Sequence, residues 1–500
     1  MQEFRSILEA AASHAASIPD KIAIIEAATD RKCSYGELWA YVKAFSRRLN
    51  KAGIKRDFGD GYGTRVVVRG AQTIDYFITA LAVHLAGGVF VPVEKSISEI
   101  RIIEIIKETD AILFIGSKPL SDSEYSYIPI TDATSELDNN NNENIIFPNS
   151  ETLADILYTT GTTGNSKGVM RSHKCTVAYT AVNFEELCET LKNDKHIWLL
   201  PSPITHMSGL SRLYNSIFCQ CTTVLLDGYV MANAYFSAIA KYGVTAISLM
   251  AASTEMYLRT CREKFMEVRD QITYIGLSGS SFTETQINSL KNIFPKTVLM
   301  LYYGATEVGG FRIDHGKGNF ASNCIGDPHM GVEVVFFNEQ KNEIIESNKK
   351  NPGLFGIKSD SKMLGYWKNP ELTASVTRGN YIILSDFGYR GEDGLYYFLS
   401  RADDVIISGG YKIAPLEIEE AANSFNGIQE SVCVAVSDPI MGQIPKLYVV
   451  MKEGNVFNFN EIYKFLKTKL ETTRIPRYIE DIEKIPKINN KVNRKELGNK

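Results

Sequence analysis

The chain has 500 residues, of which 44% are hydrophobic, and this length exceeds that of one ordinary domain, so at least two domains are expected. Charged residues make up 22% of the chain and the formal net charge is −4, a balance that argues against a protein recruited by charge to nucleic acid or to a membrane surface. The expected partners are therefore small molecules or another soluble protein.

The compartment can be predicted from the first residues and from the cysteines. The opening segment, MQEFRSILEAAASHAASIPD, is amphipathic and lacks a basic stretch followed by an apolar one, which predicts a helix and not a secretory signal. No stretch reaches the roughly 20 apolar residues that a membrane span requires. The eight cysteines form no CxxC pair, which disfavours a disulfide or zinc framework and favours a reducing cytoplasm.

Short β-branched runs alternate with amphipathic helical patterns through residues 1–400, for example in RVVVRG, YFITALAVHLAG, VFVPVE, SEIRIIEIIKET and AILFIG. This alternation predicts an α/β fold, with a large N-terminal domain of several subdomains. The polar run Asn139 to Asn142 predicts a loop tip. A turn-rich segment, GEDGLYYFLSRADD, predicts a hinge near 401–404 and a small mobile α+β lid domain at 401–500.

The lid domain ends in a basic segment. The last forty residues hold eleven Lys or Arg against six Asp or Glu, although the whole chain is negative. This local excess of positive charge suits an anionic ligand.

One loop has the composition of a phosphate-binding segment. YTTGTTGNSKG, at 158–168, follows the apolar LADIL strand and combines three glycines with hydroxyl side chains and Lys167. Ser166 and Gly168 stand where a Walker A loop requires Gly and Ser or Thr, so this is a different kind of loop. An ordinary Gly/Thr surface loop is the alternative.

Six segments resemble, in order, the signatures of the adenylate-forming superfamily, which groups acyl- and aryl-CoA ligases, firefly-type luciferases and the adenylation domains of peptide synthetases. They are YTTGTTGNSKGV, YGATE from Tyr303, LGYWKNPELT from Leu364, SDFG from Ser385, RADDVIISGGYKIAPLEIE from Arg401 and KVNRKEL from Lys491. The pattern is closest to acyl- and aryl-CoA ligases. The resemblance implies an enzyme that uses ATP to convert a carboxylic acid to acyl-AMP, releases pyrophosphate and then forms a thioester with CoA.

The resemblance also implies an ATP site and a magnesium ligand. Glu307 is the expected Mg²⁺ ligand, because magnesium prefers a few carboxylates together with phosphate oxygens and water. Asp386 would accept hydrogen bonds from both ribose hydroxyls, and Tyr303 would pack against adenine. A solvated acid, a turn-capping aspartate and a core tyrosine are the plain alternatives. The implied ATP-binding residues are Thr159, Thr160, Gly161, Thr162, Thr163, Gly164, Lys167, Gly279, Ser280, Tyr303, Gly304, Thr306, Asp386 and Arg401.

Three residues are the expected catalytic groups: Lys491, Glu307 and His206. Attack of a carboxylate on a phosphate brings two anions together, so Lys491 would bridge them and then withdraw with the lid. Asn490 replaces the glycine that usually precedes this lysine, and Lys487 is the one alternative. A surface lysine is the plain alternative for Lys491.

The resemblance places an acid pocket around the segment PSPITHMSG. His206 stands at the gate over the substrate carboxylate, with a buried structural histidine as the alternative. Met207 replaces the aspartate that pairs with the ammonium of α-amino acids, so an aryl or acyl acid is expected. The implied pocket residues are His206, Met207, Tyr302, Gly304, Gly309 and Gly310, the hinge residue is Asp403, and the thiol passage is lined by Gly409, Gly410 and Tyr411.

Three other functions fit the same signatures. A stand-alone enzyme could load an acyl or aryl group onto the phosphopantetheine of an acyl carrier protein. A luciferase-like monooxygenase could oxidise its own adenylate, and a regulatory protein could bind ATP without catalysis. An interdomain salt bridge is the plain alternative for Arg401 and Asp403.

Overall fold

Helices and strands alternate along most of the computed structural model. The structure describes residues 4–121, 125–138, 145–159, 166–180, 196–227, 232–279, 282–329, 331–408, 411–488 and 491–498. The helices are α1 (Ile7–Ser17), α2 (Tyr35–Lys51), α3 (Ile74–Leu85), α4 (Glu99–Thr109), α5 (Met207–Phe218), α6 (Ala232–Tyr242), α7 (Ala251–Thr260), α8 (Arg262–Val268), α9 (Glu284–Ile293), α10 (Pro370–Val376), α11 (Pro415–Asn423), α12 (Phe459–Lys469) and α13 (Arg494–Gly498). Residues 173–180 are also helical.

The strands fall along the whole described chain. They are β1 (Ile22–Glu26), β2 (Arg31–Ser34), β3 (Arg65–Gly70), β4 (Val89–Glu94), β5 (Leu113–Gly116), β6 (Ser126–Pro129), β7 (Leu153–Thr159), β8 (Lys167–Ser172), β9 (Ile197–Leu200), β10 (Thr222–Leu225), β11 (Ala246–Leu249), β12 (Tyr274–Leu277), β13 (Val298–Ala305), β14 (Val308–Asp314), β15 (Cys324–Pro328), β16 (Glu333–Phe337), β17 (Glu343–Ile344), β18 (Gly353–Lys358), β19 (Gly365–Tyr366), β20 (Thr377–Arg378), β21 (Tyr381–Arg390), β22 (Tyr396–Arg401), β23 (Ile406–Ser408), β24 (Tyr411–Ile413), β25 (Ile428–Asp438), β26 (Gly442–Met451), β27 (Tyr478–Asp481), β28 (Lys487–Ile488) and β29 (Lys491–Val492).

Two sheets carry the N-terminal part of the chain. In the described residues, the larger has 15 strands in the order β17-β16-β18-β21-β22-β15-β14-β13-β12-β11-β9-β10-β1-β2, with β20 on β21. The smaller has seven, in the order β19-β8-β7-β4-β3-β5-β6. Strands β4 and β11 to β13 pair with parallel neighbours, and ligands of such sheets bind at the carboxyl ends of the strands.

Local sequence explains the buried strands and the helix starts. The apolar runs RVVVRG and VFVPVE became β3 and β4, which are buried almost throughout, as parallel strands covered on both faces are. Ser34 and Glu37 form a capping box at the start of α2, and Thr283 and Gln286 form another at α9. These reciprocal bonds satisfy backbone N–H groups that the first turn leaves free.

A smaller α+β unit follows the 15-stranded sheet. Strands β23 to β27 form a five-stranded sheet, and α11 and α12 pack on it around a core of their own that includes Ile418, Leu447 and Leu466. Ser322 Oγ donates a hydrogen bond of 2.7 Å to Glu420 Oε1 and so joins the large region to this unit. The predicted α/β fold with a large N-terminal region and a small C-terminal one is therefore confirmed.

Two sequence expectations bear on segments outside these sheets. The predicted loop tip at Asn139 to Asn142 lies outside the described residues. None of the helices that the structure describes combines the length and the apolar composition that a bilayer span requires.

Candidate active site

The predicted phosphate loop runs between two paired strands. β7 ends at Thr159 and β8 begins at Lys167, and these residues are partners across the antiparallel pair. The Lys167 Nζ atom lies 5.5 Å from the centre of the Tyr366 ring, a cation–π distance. The loop residues Thr160, Gly161, Thr162, Thr163 and Gly164 lie outside the described residues. The two ends of the loop are therefore fixed by strand pairing, with an ammonium group at one end.

Glu307 is held beside this lysine by the third signature segment. The Tyr366 hydroxyl donates to Glu307 Oε1 at 2.9 Å, and the Met363 N–H donates to the Glu307 carbonyl at 2.7 Å. Burial, with the charge of Glu307, raises the pKa of Tyr366, so its hydroxyl remains a donor. Within the described ranges, no cluster of three or more His, Cys, Asp or Glu could hold a metal ion. One carboxylate completed by phosphate oxygens and water is the donor set that suits Mg²⁺.

A buried arginine connects the two nucleotide signatures and was missed in the sequence. Arg171 in β8 donates from Nη1 to the Thr306 carbonyl at 2.7 Å and from Nη2 to the Cys175 carbonyl at 3.1 Å. Its guanidinium also lies 5.1 Å from the centre of the Tyr179 ring. Thr306 belongs to the turn between β13 and β14, so one side chain fixes this turn against β8. Nothing in the local sequence distinguishes Arg171 from other strand arginines.

Tyr303, Asp386 and Arg401 come together on the other side of the turn. The Tyr303 hydroxyl donates to Asp386 Oδ2 at 2.5 Å, and Arg401 Nε lies 3.6 Å from Asp386 Oδ1. Burial, with the charge of Asp386, raises the pKa of Tyr303 well above its usual range. The Tyr303 ring is partly exposed and packs against Phe311, Phe355 and Phe398. Three separate signatures thus meet at the position expected for the nucleoside.

His206 has a carboxylate partner that the sequence reading did not include. His206 is the N-cap residue of α5, and its Nε2 pairs with Oε1 of Glu94. This hydrogen bond lowers the pKa of Glu94, although partial burial opposes the shift. Glu94 is the last residue of β4, and the carboxyl end of a parallel strand is the signal that could have identified it. Met207, the next residue after His206, is buried in the core against residues such as Leu210.

Glycines allow the β13 and β14 hairpin to pack closely. A Cβ at Gly309 would lie 3.0 Å from the Tyr179 ring and 3.2 Å from Ser361 Oγ, and one at Gly310 would lie 3.0 Å from the Tyr303 carbonyl. Gly304 pairs with Gly309 across β13 and β14. Atoms of neighbouring residues therefore already occupy the space that a side chain at Gly309 or Gly310 would need.

Tyr302 of the predicted acid pocket and Gly279 of the predicted ATP site are both described. The Tyr302 ring stacks on His329, with ring centres 6.1 Å apart, and the Arg212 guanidinium lies 4.2 Å from the centre of the same ring. The Tyr302 hydroxyl is hydrogen-bonded to that of Tyr274. Gly279 has a φ of +90°, a backbone conformation that favours glycine. Arg212, Tyr274 and His329 belong to no signature segment, and the sequence reading missed them.

Several predicted site residues fall in the gaps between the described ranges. The residues Ser280, Gly409 and Gly410, and the side chains of Asp403, Tyr411 and Lys491, lie outside the described part of the chain. The backbone of Tyr411 begins β24, and that of Lys491 begins β29, opposite Ile488. Lys487, the alternative to Lys491, forms an ion pair of 2.6 Å with Glu430 inside the C-terminal unit.

The fold, together with the pairing of Tyr303 with Asp386 and of Glu307 with Tyr366, is that expected of an adenylate-forming enzyme. The chain belongs to the AMP-binding enzyme family. The family described as AMP-binding enzyme matches residues 11–367, and the one described as AMP-binding enzyme C-terminal domain matches residues 417–491.

Similar proteins include two CoA ligases and one solved structure. The 2-succinylbenzoate–CoA ligase of Geobacillus sp. (strain WCH70) is 24% identical over 475 residues, 94% of this chain and 92% of that protein. The long-chain-fatty-acid–CoA ligase of Bacillus subtilis (strain 168) is 29% identical over 67% of this chain, which spans only 59% of that relative's length. ATP-bound MatB from Rhodopseudomonas palustris has the same fold, with a TM-score of 0.86, 21% identity and 98% of each chain covered.

Proposed function

We propose that the protein is an acid–thiol ligase that activates a carboxylic acid with ATP as acyl-AMP and then transfers the acyl group to CoA. The observation that carries the proposal is that Tyr303 and Glu307, at the two ends of the segment that Arg171 fixes, contact Asp386 and Tyr366 of two distant segments. The named relatives are CoA ligases, which supports CoA as the acceptor. No relative named above supports an acyl carrier protein in that role.

In the first step a carboxylate oxygen bonds to the α-phosphorus and the bond to pyrophosphate breaks. Cations must reduce the repulsion between the two anions, and Lys167 and Lys491 are the proposed sources of charge. Glu307 would hold Mg²⁺, which when bound would neutralise phosphate charge. Asp386 and Arg401 would position the ribose, and Tyr303 the adenine.

The acid would enter beside His206. Glu94 fixes the imidazole through its hydrogen bond at Nε2, and Nδ1 is the nitrogen that would meet the substrate carboxylate. Met207 offers no charge for an ammonium group, which supports an aryl or acyl acid over an α-amino acid. The proposed pocket includes Tyr302 and Gly304, whereas Gly309 and Gly310 serve close packing.

The second step would be thioester formation after the C-terminal unit turns. We propose domains at 1–400 and 401–500, with Asp403 at the hinge and with Gly409, Gly410 and Tyr411 along the thiol passage. The thiolate of CoA would attack the acyl carbon, and AMP would leave. The cysteine spacing supports a reducing cytoplasm as the compartment.

Pyrophosphate release from Mg·ATP tests this function. A panel of aryl and aliphatic acids would be assayed with and without CoA in wild type, Lys491→Ala and Lys487→Ala, the last serving as a control from the same basic segment. We expect acid-dependent, CoA-stimulated release that falls at least about 100-fold in Lys491→Ala only. Failure of every acid would refute the ligase, and loss only in Lys487→Ala would move the catalytic role to that residue.

A further inference from the structure

A buried arginine without a counter-charge lies beside the proposed acid pocket. Arg212 in α5 is 9% exposed, and its Nη1 has no hydrogen-bond partner in the described part of the chain. Among the described residues no carboxylate is ion-paired with its guanidinium, and the hydroxyls of Tyr302 and Tyr274 act on it. An arginine stays charged at physiological pH, and burial of an unpaired charge is costly. The cation–π contact with Tyr302 offsets only part of this cost.

The sheet beneath Arg212 has a glycine where a larger side chain would collide with the guanidinium. A Cβ at Gly276 in β12 would lie 3.1 Å from Arg212 Nη2, so a larger side chain would crowd the guanidinium. Ser248 in β11 is the register partner of Gly276, and such neighbours direct their side chains to the same face. The Ser248 hydroxyl is buried, 1% exposed, and also lacks a partner in the described ranges. The Arg212 guanidinium and the Ser248 hydroxyl thus lie over the same face of the sheet, each with a polar atom that lacks a partner.

His329, which contacts the Tyr302 ring, also has a polar atom without a partner. His329 stacks on Tyr302, and its Nδ1 is buried without a partner among the residues described. Burial lowers the pKa of His329 to about 3, and the charges of Arg312 and Arg212 act in the same direction. The ring is therefore neutral and adds no second cation. Arg212 therefore presents its positive charge close to the unused hydrogen-bonding atoms of Ser248 and His329, which is what an anionic group requires.

We propose that Arg212 and Ser248 form a subsite for a second carboxylate of the substrate, at the end away from the reacting carboxylate. A guanidinium binds a carboxylate through two parallel hydrogen bonds, which would satisfy Nη1 and neutralise the buried charge. Arg212 follows the N-cap His206 by six residues, about 9 Å along the helix axis. The substrate class is thus a dicarboxylic acid with a short aliphatic or aryl spacer. This inference rests on the proposed function.

Matched acid pairs, in which a carboxylate replaces a terminal methyl group, test the subsite. The pairs are valerate and glutarate, hexanoate and adipate, octanoate and suberate, and 4-methylbenzoate and terephthalate. For at least one pair we expect kcat/KM in pyrophosphate release to favour the diacid by about 100-fold or more, with that ratio lost in Arg212→Met. A preference for the monoacid in every pair, or a ratio that Arg212→Met leaves unchanged, would overturn the subsite.

Two further measurements separate the subsite from folding and from the proposed function. Arg212→Met should keep or raise the melting temperature, because it removes a buried charge that lacks a partner, whereas a fall would give Arg212 a structural role. Gly276→Ala, which crowds the guanidinium, should lower the diacid ratio without removal of the charge. If no acid supports turnover, the proposed function fails, and the subsite is judged by binding without ATP. Diacids should then raise the melting temperature of wild type and not of Arg212→Met, and equal shifts in both would refute it.

Discussion

Removal of the Glu94 carboxylate should impair use of the acid and leave use of ATP unchanged. Glu94 contacts His206, whereas Asp386 contacts Tyr303, so the two carboxylates have separate partners. A charge-assisted hydrogen bond contributes about 1.5–3 kcal/mol when buried. The Glu94 and His206 side chains are 33% and 38% exposed, so solvent screening reduces this to about 1 kcal/mol. The expected loss in kcat/KM for the acid is therefore about fivefold.

The assay is pyrophosphate release with the acid varied at saturating ATP, and then with ATP varied at saturating acid. Glu94→Ala should show the full loss, and Glu94→Gln a smaller one because the amide oxygen still accepts a hydrogen bond. Glu104→Ala removes an exposed carboxylate from an ion pair with Arg101 and is the matched control, with no change expected. Because His206 lowers the pKa of Glu94, the pair should persist until the pH falls below the usual carboxyl range.

A double-mutant cycle decides whether Glu94 acts through the histidine. If it does, Glu94→Ala should cost less than about twofold in a His206→Ala background. Fully additive losses, or an equal rise in the KM for ATP, would refute the reasoning. The reasoning would also be refuted if Glu94→Ala lowered the stability of the protein enough to account for the whole loss of activity.

Tyr366, His315 and Arg171 each allow one further test. Tyr366→Phe removes the donor to Glu307 and should raise the Mg²⁺ concentration for half-maximal activity about tenfold; an unchanged titration would contradict this role. His315 is fully buried, and burial lowers its pKa from 6.5 to about 4. Between these two pH values the unfolded chain binds a proton at this histidine that the folded chain does not bind. Wild type should lose up to about 3 kcal/mol of unfolding free energy as the pH falls through this range, and His315→Leu should lack this slope in urea titrations. Arg171→Met leaves two backbone carbonyls without their donor and should cost about 3 kcal/mol in urea unfolding; a loss under about 1 kcal/mol would refute it.

The fold could be predicted because its signal is local. The alternation of β-branched runs with amphipathic patterns fixes an α/β architecture, and runs such as RVVVRG are apolar because β3 is covered on both faces. The resemblance also named residues that the structure brings together, such as Asp386 and Tyr303. In these cases one short segment contains the information.

The partners of those residues could not be predicted, because a pairing between distant segments leaves no local trace. Glu94 and His206 are 112 positions apart, and neither position alone indicates the other. Arg212 lies on an ordinary amphipathic helix, and its lack of a counter-charge is visible only when the strands beneath it are in place. The use of Gly309 for packing against Tyr179 is likewise a property of the assembled turn.

The Arg171 side chain has a consequence for attempts to exchange parts between relatives. It connects a strand of the seven-stranded sheet to a turn of the 15-stranded sheet, so its length sets the gap between two segments that are remote in the chain. A chimera that receives a foreign phosphate loop together with β8 has the foreign residue at position 171, but it keeps its own turn between β13 and β14. Such a chimera should keep the spacing between the two sheets only if the arginine and the β13–β14 turn are transferred together.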